Sequence, residues 1–315
     1  MRRAFIILVI LALSHAGGAA SRQTREGKSQ AEMVSNWGYV DKTGRWVIRP
    51  QFYTAGDFSE GLAAVGSHEG KWGYVDKAGR IAIKLQFDWA DSFSEGLAPV
   101  RADGKWGFIN RAGEFIIRPR FDYAYPFSEG LAPVSVGGKW GYVDRAGKLP
   151  IEPRFDAAFA FADGLACVQA GVHYGFVNKK GAVVIAPRFD YTYGFSEGLA
   201  AVQTGDKWTY IDKAGRQVIK GAFAEADKFS EGLAGVRPAL PRPGRAWGFI
   251  NRAGELVIGP RFGAAGRFSE GLAYVQTERG RWDYIDRTGE TVLSLRSYLV
   301  GPFSDGLARA HATEQ

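Results

Sequence analysis

The stretch KWGFINRAGEFIIRPRFDYAYPFSEGLAPV, Lys105 to Val134, decides the fold, because nearly the same string occurs eight times in one chain. Its aromatic anchor recurs at Trp37, Trp72, Trp106, Trp140, Tyr174, Trp208, Trp247 and Trp282, at spacings of 35, 34, 34, 34, 34, 39 and 35 residues. In every copy the glycine of a Gly-Leu-Ala triplet follows 24 residues after the anchor, from Gly61 to Gly306. Length varies only between that triplet and the next anchor, which locates one tolerant loop per unit. The longest version, RPALPRPGRA (Arg237 to Ala246), is Pro-rich and therefore expected on the surface. Self-similarity at this period signals stacked structural repeats.

Each unit reads as strands. GLAPVRA is apolar and ends in a turn at Asp103-Gly104. KWGFIN carries non-polar residues on both faces, so it must be covered on both sides. NRAGE has Asn first and Gly fourth, which suits a tight hairpin. EFIIRP reads as a third strand ended by its proline, and RFDYAYPFSEG returns the chain. A sheet with two apolar faces needs a neighbour on each, and only adjacent repeats can supply them. The expected fold is all-β, eight antiparallel meanders of about 34 residues. A closed eight-bladed β-propeller and an open β-solenoid both satisfy this. The first unit lacks a Gly-Leu-Ala strand before Trp37, and the last ends with a surplus one, GLARAHATEQ. Joined, they complete one blade, which favours the propeller and removes exposed edges.

The strings KWGYVDKAG and FSEGLA resemble those of the bacterial WG-repeat proteins, and the likeness runs from Trp37 to Ala308. The resemblance implies a β-rich repeat protein, often assigned to propellers, with no shared catalytic residue and no cofactor to carry over. The pattern departs at His173-Tyr174 (for Lys-Trp), at Thr209 and Asp283 (for Gly) and at Ser297 (for Phe).

Three segments follow. Residues 1–20, MRRAFIILVILALSHAGGAA, have two arginines, an apolar run from Ala4 to Leu13 and small residues, the layout of a secretory signal peptide. The run is too short to cross a bilayer of about 30 Å, so no stable membrane insertion is expected after cleavage. Residues 21–34 read as a disordered linker, and 35–315 as the repeat domain. The expected location is periplasmic or extracellular, in a bacterium. The chain has a single cysteine, Cys167, inside the apolar string GLACVQA, and no disulfide can form within it. Net charge is +7, a mild basic bias that permits an anionic partner without demanding nucleic acid.

A residue present in every repeat serves what every repeat shares. An acid precedes each triplet glycine, from Glu60 to Asp305, and reads as a turn residue that bonds backbone N–H groups or a nearby lysine. The basic residue of each hairpin, Lys42 to Arg287, reads as a solvated turn tip at the same end. At the opposite end, Arg120, Arg154, Arg188, Arg261 and Arg296 share one position, and the variable loop adds Arg242 and Arg245. Arginines without matching acids could take up a carboxylate- or phosphate-bearing surface, so these seven form the candidate binding face. Trp46, Trp89, Tyr123, Tyr125, Tyr191 and Tyr193 differ between units and are expected to fill the core; exposed, they would stack on sugars or anchor a protein. The four histidines share no metal-ligand spacing, and neither a Gly-x-Ser-x-Gly elbow nor a phosphate loop is present. The expectation is an exported, non-catalytic scaffold, with no metal or cofactor, for a protein or a cell-envelope polymer. The alternatives are a lectin-like module and a carbohydrate-active hydrolase.

Overall fold

The computed structural model describes residues 37–239, 246–277, 280–295 and 297–312. The expected leader, linker, Arg242, Arg245 and Arg296 lie outside these. Among the described residues there is no helix. One sheet shows how a unit is built. The short strand Tyr123–Ala124 pairs with Leu131–Val136, which pairs with Lys139–Asp144, which pairs with Ile151–Phe155, all antiparallel. Each sheet therefore takes its first two strands from the end of one sequence repeat and its last two from the start of the next.

The strand Phe115–Phe121 does not end at its proline. It lies at the sheet edge, where a missing N–H breaks no ladder bond. Its register slips between Ile117 and Phe121, and the extra residues arch over Gly107. A Cβ on Gly107 would stand 2.5 Å from the Ile117 carbonyl oxygen and 2.7 Å from the Pro119 nitrogen. This close crossing is why glycine follows the anchor tryptophan. Where that glycine is replaced, the crossing partner has changed too. Thr209 faces a strand with Gly221 in place of the proline, and Asp283 pairs in register with Ser294. In the first case the edge strand Gln217–Ala226 runs straight into the next unit and joins two sheets into one of seven strands.

The sheets stack through apolar clusters that each span two neighbours. Leu97, Trp106, Phe108, Ile117 and Phe121 of one sheet pack on Ala124, Phe127, Ala132, Val134 and Val143 of the next. The eighth cluster joins Leu272 and Tyr284 to Val40, Phe303, Ala308 and Ala310. The strand Trp37–Val40 pairs with Ala308–Ala312, so the two ends of the repeat region share one sheet. A solenoid would leave these strands at opposite tips.

The recurring acid links the sheets. Glu60, Glu95, Glu129, Asp163, Glu197, Glu231 and Glu270 each accept the triplet-glycine N–H of the following unit, from Gly96 to Gly306. Asp305 accepts from Gly61 at 2.6 Å and returns the series to its start. The hairpin bases meet the same turns. Lys179 pairs with Glu129 at 3.0 Å, Lys42 with Glu270 at 3.1 Å, and Lys213 donates to the Asp163 carbonyl.

Candidate functional site

The four described members of the arginine set are exposed, but each already has a backbone partner. Arg154, Arg188 and Arg261 donate to the carbonyls of Gly181, Gly215 and Gly289 at 2.6, 2.9 and 2.6 Å, and Arg120 donates to that of Gly147. Each of these glycines closes the hairpin of the next unit. Each guanidinium also lies 4.8–5.0 Å from the ring of the phenylalanine that follows it. The strand directions read from sequence put these arginines at the end opposite the hairpins. The arched edge strand carries them instead to the neighbouring hairpin, where they tie one sheet to the next.

The units differ where each returns toward Phe-Ser-Glu-Gly. Two residues before that phenylalanine stand Gly56, Asp91, Tyr125, Phe159, Tyr193, Asp227, Gly266 and Gly301 in successive units. The backbone there is fixed. The buried tyrosines Tyr39, Tyr74, Tyr142, Tyr210 and Tyr284 donate to the carbonyls of Gly56, Asp91, Phe159, Asp227 and Gly301. The N–H groups of Asp91, Tyr125 and Asp227 donate to Pro99, Pro133 and Gly235. The tyrosine bond recurs in five units, Phe108, Phe176 and Phe249 replace the tyrosine in the other three, and the residue on the return strand varies throughout, which is where a repeat protein can carry function.

Three consecutive units place aromatics on this frame. Tyr125 stacks on Trp140 with centroids 5.3 Å apart and planes at 20°, and Tyr193 stacks on Trp208 at 5.3 Å and 14°. Tyr123 lies 5.1 Å from Tyr125 and 5.7 Å from Trp140; Tyr191 lies 5.2 Å from Tyr193 and 5.9 Å from Trp208. The result is two matching Tyr–Tyr–Trp triads, two units apart. They fill the core only in part: Trp208 is buried and Tyr191 packs against the clusters on either side, while the other rings reach solvent. Tyr123 is 39% and Tyr193 37% exposed, and Trp46 and Trp89 are exposed as well; Tyr125 and Tyr191 are half-buried. The return strand is an edge of its sheet, so its outward side chains stay in solvent.

Charged groups flank the aromatics. On one side Asp91 is half-buried, and its carboxylate accepts the N–H of Ser92 at 2.6 Å. Burial pushes its pKa above the ordinary carboxylate range, with the Ser92 N–H opposing. On the other side Arg267 holds Asp227 at 2.7 Å, and Lys228 stands beside that pair. Burial pulls the Lys228 amine below the usual lysine range, and the Arg267 charge adds to this. Farther round, Arg309 meets Asp57 at 2.8 Å. Sequence reasoning missed Asp91, Asp227, Lys228 and Arg267. Their signal was the variability of their column, which acquires meaning only when the units are stacked. Cys167 is buried and its thiol pKa is raised by burial, which makes it a small core residue. Among the described residues no three His, Cys, Asp or Glu side chains gather as metal ligands would.

A search of curated proteins finds no match to this sequence. Among solved structures, the chain is similar to the computationally designed Ika8 protein, with TM-score 0.56 and 12% identity over 82% of this chain and 92% of that one. It is similar also to BamB from Moraxella catarrhalis, with TM-score 0.55 and 11% identity over 82% and 96%. At these identities the likeness speaks for the fold alone. The model of the WG containing repeat matches eight times, at residues 37–71, 72–106, 106–140, 140–171, 174–208, 208–237, 247–282 and 284–310. The recurring anchor, the glycine under the arched strand and the linking acids are thus the marks of a family, and the chain belongs to the WG-containing repeat proteins.

Proposed function

We propose that the protein is an exported, non-catalytic scaffold that holds a cell-envelope polymer on the face carrying the two Tyr–Tyr–Trp triads. The observation behind this reading is the pair of Tyr–Tyr–Trp clusters, repeated two units apart at sheet edges, each presenting one exposed tyrosine, Tyr123 and Tyr193. Aromatic planes of this kind bury large area at low entropic cost and suit the flat faces of sugar rings. Repetition of the platform suits a ligand that itself repeats, because two linked contacts gain from effective concentration. The leader read in residues 1–20 supports export.

The test is retention of the purified protein on insoluble envelope polymer, compared with the double variant Tyr123→Ala, Tyr193→Ala. Both rings lie at the surface, so the variant should still fold, with a melting temperature lowered by a few degrees through the lost ring contacts, and lose roughly tenfold or more in affinity. Unchanged retention would remove this face. Retention that protease treatment of the polymer abolishes would point to a protein partner instead.

A further inference from the structure

The second triad differs from the first by one unpaired charge. Lys228 is the only lysine at its position; the other units carry Asp57, Ser92, Pro126, Ala160, Gly194, Arg267 and Pro302 there. Its Nζ lies 3.6 Å from where a Cβ on Gly194 would stand, which puts the ammonium against the backbone next to Tyr193. Every charged neighbour already has a partner. Asp227 is held by Arg267, Glu225 by Arg237, and the Asp163 carboxylate accepts the Gly198 N–H. The Lys228 ammonium makes no hydrogen bond or ion pair among the described residues. Burial strips part of its hydration, and the nearby Asp227 and Asp163 carboxylates, already engaged elsewhere, offset only part of that loss. A ligand anion would restore that balance.

We infer that Lys228 forms an anion subsite beside the Tyr191–Tyr193–Trp208 platform, which takes the carboxylate of an acidic pyranose such as a uronic acid. The exposed Tyr193 ring, backed by Tyr191, takes the face of the sugar, and the ammonium takes its charged edge. One ammonium balances one carboxylate. A phosphate carries about −1.5 to −2 at neutral pH, and the nearby Asp227 would repel the surplus. The first triad has Phe159 and Ala160 where the second has Asp227 and Lys228, so the two platforms divide into a neutral and an anion-selective subsite. This inference rests on the reading of the triads as a polymer-binding face.

The experiment titrates the full chain with tri-galacturonate, with its neutral methyl ester and with inorganic phosphate. The acid should bind roughly tenfold tighter than the ester, about 1.4 kcal/mol, and Lys228→Met should bring that ratio to parity. Phosphate should not displace the acid. Equal affinity for acid and ester, or a ratio that survives Lys228→Met, overturns the subsite and leaves the aromatic platform standing. Displacement by phosphate overturns the choice of a carboxylate. No binding of either sugar overturns the subsite together with the platform's preference for sugars. Should Lys228→Met fail to fold, reductive 13C-methylation of the native protein gives a second readout. The Lys228 methyl signal must move on addition of tri-galacturonate, and a fixed signal refutes the contact.

Discussion

Glu129 sits in the left-handed backbone region at φ 54°, as do its counterparts from Glu60 to Asp305. For an L-residue this costs roughly 1 kcal/mol, which glycine would avoid. The acid compensates through its bond to the next unit's N–H. Glu129→Ala should therefore destabilise the protein by about 1–2 kcal/mol in urea unfolding. Glu129→Asn, which tolerates the left-handed region and keeps an acceptor, should cost less. That this acid serves the fold was legible in its recurrence. Its partner was not, because nothing within one unit encodes a contact 35 residues away. Asp91 is the contrary case. Its pKa is raised above 3.8 by burial, so the folded state binds the proton more tightly than the unfolded chain does. Stability is then fullest below the unfolded pKa and declines as pH rises through the folded one. Asp91→Asn should raise the melting temperature at neutral pH, and the gain should fade below about pH 4. Melting curves across pH check this, and a constant difference would contradict it. A single aspartate in a variable column gives no sign of its burial until its neighbours are placed.

At the scale of the strand, the glycine after the anchor and the proline across from it act as one device. Gly107→Ala would drive a methyl group into the backbone of Ile117 and Pro119, not into a side chain that can swing away. The expected cost is about 3 kcal/mol or more, read from the shift in urea midpoint. Thr209→Gly lies in a unit that has already exchanged the proline for Gly221, and it should cost less than about 1 kcal/mol. Alternation and turn residues made the two central strands and the hairpin plain in the sequence. The edge strand was misread at its proline, because a proline that faces solvent on an edge looks the same in sequence as one that stops a strand. The arginines were misplaced for the same reason. Straight strands would hold them away from the hairpins, and the arch over the glycine brings them there.

Across the whole molecule, every sheet is one slice of a continuous stack, and no sheet has a core of its own. Ending the chain before Leu307 removes the strand between Trp37–Val40 and Ser297–Val300 and uncovers the clusters on either side. Calorimetry should show the melting temperature falling by roughly 10 °C or more; loss of a frayed end alone would leave it nearly unchanged. The surplus final strand made this join readable in sequence. The proposed binding face was less readable, since recurrence draws the eye to constant columns while the triads sit in a changing one. The pairing of Trp37 with His311 has one more consequence. Ala312 and Trp37 stand where other units carry a turn as short as Gly137-Gly138 between paired strands. The unit at which the repeat series starts is therefore arbitrary with respect to the architecture. A circular permutant that fuses these neighbours through two glycines and opens at residues 240–245 should fold to the same molecule, with its original ends erased.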